Sequence, residues 1–280
     1  MEGEGPIALV TGCSSGIGRA LALEFAAQGV TVLATARHVG ALDDLTSQYE
    51  NIEAFPLELG DKESIERLRD MVFKRTGGRL DYLVNNAGVH YAATAMDMDV
   101  EEAVKIFNVN VFAVMRLCQL FIPFLRKSSR GTIVQIGSVT REVPVVWQAA
   151  YNASKAALCQ YTKTLRLELK PFGISVIEIV TGFVRSNILH HGLYAPEDSL
   201  YLPIKSTIEL LKYGGNANGM AADAYARSVV SKVLHGYAGP EIWEGHLAWR
   251  LRFLYSIFPL WFLDWLCFRQ YKLYVLGKPR

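Results

Sequence analysis

Short apolar runs alternate with helix-length amphipathic stretches along nearly the whole chain. The runs Ile7–Thr11, Thr31–Ala36, Glu53–Glu58, Tyr82–Asn85, Thr132–Ile136, Ser175–Val180 and a short Glu241–Trp243 read as strands. Helices are expected to start near Gly16, Ala41, Lys62, Val100, Ala149 and Ala221. Strands that read as near-continuous apolar runs are buried on both faces, and their alternation with helices builds a parallel sheet covered on both sides. The pattern predicts an α/β fold with a doubly wound parallel sheet of seven strands. In such a sheet ligands bind beyond the carboxyl ends of the strands.

The rhythm breaks twice. Residues 181–219 hold two stretches rich in Gly and Asn and form a long insertion after the sixth strand, which is expected to act as a substrate lid. Residues 247–280 carry the run Phe253–Leu263, then Asp264, then Trp265–Phe268, flanked by Arg250, Arg252, Arg269, Lys272, Lys278 and Arg280. With Pro259 and Asp264 inside it, this run is too short to span a bilayer, which needs about 20 apolar residues. Its Trp, Tyr and basic residues suit a segment lying on a membrane surface. The alternatives are a helix packed over the substrate pocket and a dimer contact. The expected organisation is one catalytic domain over 1–246 and an aromatic extension over 247–280.

Composition narrows the function. The 280 residues carry a formal net charge of +2, which gives no electrostatic reason to expect a nucleic-acid partner. Cys13, Cys118, Cys159 and Cys267 lie far apart, without a CxxC pair or metal-ligand spacing to histidine, so buried thiols in a reducing compartment are expected and a metal site is not. The first residues lack the basic and apolar regions of a secretory signal, so an intracellular protein is expected.

Val10-Thr11-Gly12-Cys13-Ser14-Ser15-Gly16-Ile17-Gly18 follows the first strand and opens an amphipathic helix. Glycines there let the backbone approach a pyrophosphate, and the helix N-terminus offers free N–H groups and a favourable dipole. The fold is therefore expected to be Rossmann-type. The second strand ends in Arg37, with no Asp or Glu between Val30 and Val39. An acid there would bond the ribose 2′-OH of NAD, whereas a guanidinium suits the 2′-phosphate of NADPH. A solvated surface arginine is the alternative reading.

Tyr151 and Lys155 stand four residues apart, so one helix face carries both. A free phenol, with pKa about 10, is a poor acid–base catalyst near neutrality. A neighbouring ammonium is expected to favour the phenolate and lower that pKa. Ser138 follows the fifth strand and can place its hydroxyl where an alkoxide develops.

The glycine turn, Asn85-Asn86-Ala87-Gly88, Ser138 and Tyr151-x-x-x-Lys155, in that order, resemble the short-chain dehydrogenase/reductase family over 5–245. The resemblance implies that Gly12, Ser14, Gly16, Ile17 and Gly18 cradle the dinucleotide, and that Ser14 assists Arg37. It implies that backbone groups of Asn86, Ala87 and Gly88 edge the adenosine ribose, and that Lys155 holds the nicotinamide ribose. Asn110 becomes a fourth catalytic member that orders a water beside the lysine; a buried structural amide is its other reading. Glu58 stands where the family usually has an Asp contacting the adenine. Thr181-Gly182-Phe183-Val184-Arg185-Ser186 replaces the usual PGxVxT, with Val184 offering its backbone to the carboxamide and Ser186 replacing the Thr hydroxyl. The missing proline is expected to loosen this loop.

That variant and Lys170-Pro171-Phe172-Gly173-Ile174 resemble fungal NADPH-dependent 1-acyldihydroxyacetone-phosphate reductases, which act at the endoplasmic reticulum or lipid droplets, and related fungal ketoreductases of secondary metabolism. The resemblance implies NADPH-dependent reduction of a hydrophobic ketone, either that lipid intermediate or a polyketide or steroid-type ketone. It also leaves room for a homodimer or homotetramer, since the family pairs through its fourth and fifth helices. A catalytically silent NADPH-binding regulator is the reading from another class, but such proteins lose the tyrosine or lysine that this chain keeps. His190 and His191, in the expected lid, are read either as solvated or as ligands of an anionic head group.

Overall fold

The computed structural model describes residues 5–186 and 192–277. Seven strands form one parallel sheet in the order β3-β2-β1-β4-β5-β6-β7. They are β1 (Ile7–Val10), β2 (Thr31–Ala36), β3 (Ile52–Pro56), β4 (Tyr82–Asn85), β5 (Thr132–Ile136), β6 (Ser175–Thr181) and β7 (Glu241–Glu244). The helices are α1 (Gly16–Ala27), α2 (Asp43–Gln48), α3 (Lys62–Thr76), α4 (Val100–Phe107), α5 (Ala113–Leu125), α6 (Ala149–Leu169), α7 (Lys205–Ala217), α8 (Ala222–Leu234), α9 (Ala248–Ile257) and α10 (Leu260–Gln270).

Two apolar layers sandwich the sheet. Leu21, Phe25, Tyr225 and Val229 of α1 and α8 pack on Ala8, Val10, Ile177 and Ile179. On the opposite face, Leu68, Leu117, Phe121 and Leu165 of α3, α5 and α6 pack on Leu9, Leu83, Ile133 and Val176. Alternate residues of one strand thus serve opposite layers, as the pleat requires. The strand order reverses between β1 and β4, so the crevice for a ligand opens beside the glycine turn and the carboxyl end of β4.

Three local departures from the sequence reading stand out. β3 stops at Pro56 rather than Glu58, because the Glu58 N–H leaves the sheet to donate to the Ser64 hydroxyl, 2.9 Å away. The helix expected from Val100 is interrupted by a π turn over Asn108–Phe112. The insertion after β6 contains α7, which runs through Gly214 and Gly215. Those glycines read as a loop in sequence. A Cβ on Gly215, however, would lie 2.5 Å from the Phe183 ring, so its glycine serves close packing.

The C-terminal segment does not trail away. α9 sets Ala248 and Leu251 against Val139, Val180 and Trp243. Cys267 of α10 and, beyond it, Tyr271, Leu273 and Leu276 join Trp147, Ile204 and Ile208 in a cluster that includes the lid. All four cysteines are free thiols, and Cys13, Cys118 and Cys159 are buried.

Candidate active site

Ser138, Tyr151, Lys155 and Asn110 converge at the carboxyl ends of β4 and β5. Ser138 leaves β5 two residues past its end, in extended backbone (φ −152°), and caps a short 3-10 turn. Its Oγ accepts from the Thr140 backbone N–H at 3.1 Å and bonds the Thr140 hydroxyl at 3.0 Å. The Tyr151 phenol is hydrogen-bonded to Ser138. One turn along α6, the Lys155 ammonium donates to the Ile136 carbonyl at 2.9 Å and sits 5.8 Å from the Tyr151 ring centroid.

This geometry corrects one expectation. Lys155 is not among the groups that shift the phenol; its ammonium is engaged with a backbone carbonyl. Burial dominates instead and pushes the Tyr151 phenol up to about 12, with the Ser138 hydrogen bond pulling the other way. Burial also lowers the Lys155 ammonium to about 8, opposed by the charge of Glu178. A phenol with a raised pKa stays protonated near neutrality, the state a proton donor needs.

Asn110 sits in the π turn, where its amide makes three hydrogen bonds. Nδ2 donates to the Val89 carbonyl at 3.0 Å and to the Ser154 hydroxyl at 3.1 Å, while Oδ1 accepts from the Val89 N–H at 2.9 Å. The side chain therefore clamps the strand-four turn to α6. Gly88 is part of the same clamp, since a Cβ there would lie 3.2 Å from Asn110 Oδ1.

The glycine turn is shaped by close approach. Gly12 has φ +74°, and a Cβ on it would meet Ala87 at 2.9 Å. A Cβ on Gly18 would lie 2.2 Å from the Gly12 carbonyl and 2.3 Å from Asn86 Nδ2. Asn86 donates to the Thr11 carbonyl at 2.8 Å, and the Thr11 hydroxyl accepts from the N–H groups of Asn86 and Ala87 at 3.0 Å each. The Asn86 side chain thus braces the turn. Ser15 at the start of α1 makes no side-chain cap, and Ser14 is exposed. An uncapped helix N-terminus beside Gly16, Ile17 and Gly18 fits a pyrophosphate, so these residues match a dinucleotide.

Arg37 is exposed just past β2. Glu58 is exposed too, and its Oε1 accepts from the Gly60 N–H at 3.2 Å. On the nicotinamide side the loop after β6 is tied down, contrary to expectation. Phe183 and His246 exchange backbone hydrogen bonds of 2.9 and 3.0 Å, Arg185 N–H donates to Met220 at 3.0 Å, and Ser186 N–H donates to Asn216 Oδ1 at 3.2 Å. These contacts do the work that proline would otherwise do, and they hold Val184 in a bridge to Met220. Ser186 packs over Gly16, lining a cleft of about 550 Å³ with Arg19, Arg185 and Asn216.

Three residues escaped the sequence reading. Thr140 holds Ser138, and the His90 ring lies 4.9 Å from the Tyr151 ring. Trp147 is buried with φ +72°, a conformation costing about 1–3 kcal/mol, and its indole N–H donates to the Tyr194 carbonyl at 2.8 Å. That bond ties the lid to the start of the catalytic helix. Only the aromatic four residues before Tyr151 hinted at it. His190 and His191 lie outside the described residues.

A family model described as short chain dehydrogenase matches residues 6–193. The chain is 39% identical over 278 residues to the short-chain dehydrogenase RED1 of Pyricularia oryzae, covering 97% of this chain and 96% of that protein. It is 43% identical over 215 residues to the NADPH-dependent 1-acyldihydroxyacetone phosphate reductase of Schizosaccharomyces pombe, covering 74% and 71%. The solved RhlG/NADP active-site complex of Pseudomonas aeruginosa superposes with a TM-score of 0.70 at 30% identity, covering 85% of this chain and 93% of that one.

Proposed function

Since the chain belongs to the short-chain dehydrogenase family and is an oxidoreductase acting on CH–OH groups, we propose that it is an NADPH-dependent reductase of hydrophobic ketones. The observation that carries this reading is the convergence of a protonated, buried phenol, a strand-end serine hydroxyl and a buried lysine beside a glycine turn shaped for a dinucleotide. Exposed Arg37, with no acid at the end of β2, supports the phosphorylated cofactor.

The reduced nicotinamide, when bound, supplies the hydride. Ser138 holds the carbonyl oxygen and stabilises the negative charge that develops on it. Tyr151 gives that oxygen its proton. The Lys155 ammonium, one helical turn away, stabilises the phenolate left behind, which takes its replacement proton from solvent. Asn110 acts on this chain indirectly, by fixing the Val89 turn and Ser154 against α6.

The substrate is argued from the lid. Its packed side is built from Trp147, Leu193, Tyr201, Ile204 and Ile208, which suits an apolar ketone. Two candidates follow. The acyl ketone of acyl-dihydroxyacetone phosphate draws support from the similarity to the fission-yeast reductase, and a polyketide or steroid-type ketone from the apolar lid. NADPH consumption over a ketone panel containing both classes is expected to reveal at least one substrate with kcat/KM above about 10⁴ M⁻¹s⁻¹. No turnover anywhere in the panel would overturn the reading.

A lipid surface is the partner that the same reading favours. Trp249, Phe253 and Ile257 form one exposed stripe of α9, and Trp261, Trp265 and Phe268 one of α10. Each helix also has a buried side, so both are apolar on opposite faces, which water alone does not explain. Arg250, Arg252, Arg269 and Lys272 are exposed around them, with Asp264 the one acid, so an anionic interface complements the patch. The protein is expected to float with phosphatidylserine-containing vesicles, and Trp261→Glu with Trp265→Glu to stay behind. Concentration-dependent dimers that shield these residues without vesicle binding would point to a second copy instead.

A further inference from the structure

Glu178 takes no part in the steps above, yet it is 1% exposed. Burying a carboxylate is costly unless it is paired. On β6 the residues Val176, Glu178 and Val180 point to the α6 side, opposite Ile177 and Ile179. Lys155, Cys159 and Lys163 face them from α6 at successive turns. Arg141, from the turn that Ser138 caps, pairs with Glu178 through Nη1. Its Nη2 reaches Glu142 at 3.0 Å and Glu241 of β7 at 2.9 Å, and the guanidinium lies 5.2 Å above the Trp243 ring. One guanidinium therefore serves three carboxylates.

The carboxylate also reaches the catalytic strand end. A Cβ on Gly137 would stand 2.3 Å from Glu178 Oε1, so glycine is required there because the carboxylate fills the space. Gly137 lies directly between Ile136, whose carbonyl seats the Lys155 ammonium, and Ser138.

We propose that Glu178 is a positioning residue whose buried carboxylate is the counter-charge that keeps the Lys155 ammonium protonated on its Ile136 seat. This rests on the reading that Lys155 works as a cation. Burial alone drives Lys155 toward the neutral amine, and Glu178 is the charged group that opposes it. Arg141 cannot give up its proton, so it holds the charge on Glu178. With Glu178 neutral, Lys155 loses its proton at lower pH, and any property needing the cation fails correspondingly earlier as pH rises. Cys159 and Lys163 on α6, Glu142 after the Ser138 turn and Glu241 on β7 are the other titratable groups around this carboxylate.

The test is NADPH affinity of the full-length protein, read by cofactor fluorescence from neutral to alkaline pH, with thermal melting as the check on folding. In Glu178→Gln the pH at which affinity weakens is expected to fall by roughly one unit. Glu178→Asp keeps Arg141 paired but draws the carboxylate away from Gly137, so it should give a smaller fall. Glu241→Gln, which removes a different partner of Arg141, should leave the midpoint in place. In a Lys155→Met background Glu178→Gln should have no further effect. An unchanged midpoint in both Glu178 variants, or an equal shift without Lys155, would overturn the proposal. Because binding needs no turnover, failure to find a ketone substrate would not be mistaken for failure of this idea.

Discussion

Replacing Tyr151 by Phe is expected to lower kcat about 10³-fold while NADPH binding stays within a few-fold of the parent. The variant removes one oxygen from a ring that keeps its place against His90. What is lost is the only phenolic proton hydrogen-bonded to Ser138 among the described residues. Three decades in rate correspond to about 4 kcal/mol of barrier, within reach of one positioned general acid. Steady-state kinetics on the best ketone of the panel, with cofactor titration by fluorescence, separates the two effects. A variant that kept turnover would place the proton donor elsewhere, and one that lost NADPH binding would show that the ring matters for shape.

Arg37→Glu should reverse the cofactor preference. The guanidinium is exposed past β2, and neither a salt bridge nor a side-chain hydrogen bond engages it among the described residues. The nearby Arg19, by contrast, is already paired with Asp44. Losing one charge-assisted contact and adding a like charge should lower kcat/KM for NADPH about 10²-fold and raise it for NADH several-fold. Because Arg37 is exposed, the wild-type preference should weaken in high salt. Equal preference before and after substitution would contradict the assignment of NADPH.

Much of this was legible because the informative signals are local. β2, β4 and β5 fall where their largely apolar runs begin and end, since a strand buried on both faces is mostly apolar along its length. Ser138, Tyr151 and Lys155 were readable from one strand end and one helical repeat. What stayed hidden depends on contacts between distant segments. Glu178 reads as an anomaly in an apolar strand until Arg141 and Gly137 are placed around it. Gly214 and Gly215 read as loop until α7 packs on Phe183. Asn110 reads either as water-ordering or as structural, and its bonds to Val89 and Ser154 emerge only with the fold. The direction of the Tyr151 shift is equally hidden, because the sequence carries the Lys155 spacing but neither the burial of the phenol nor the seat of the ammonium.

If Tyr151 protonates a ketone held by Ser138 while NADPH supplies the hydride, NADPH deuterated at the transferable C4 position should label the alcohol, followed by mass spectrometry. Deuterium is expected on the carbinol carbon with the parent protein and almost none with Tyr151→Phe over the same interval. Alcohol formed without the label, or labelled at the parental rate by Tyr151→Phe, would contradict that mechanism.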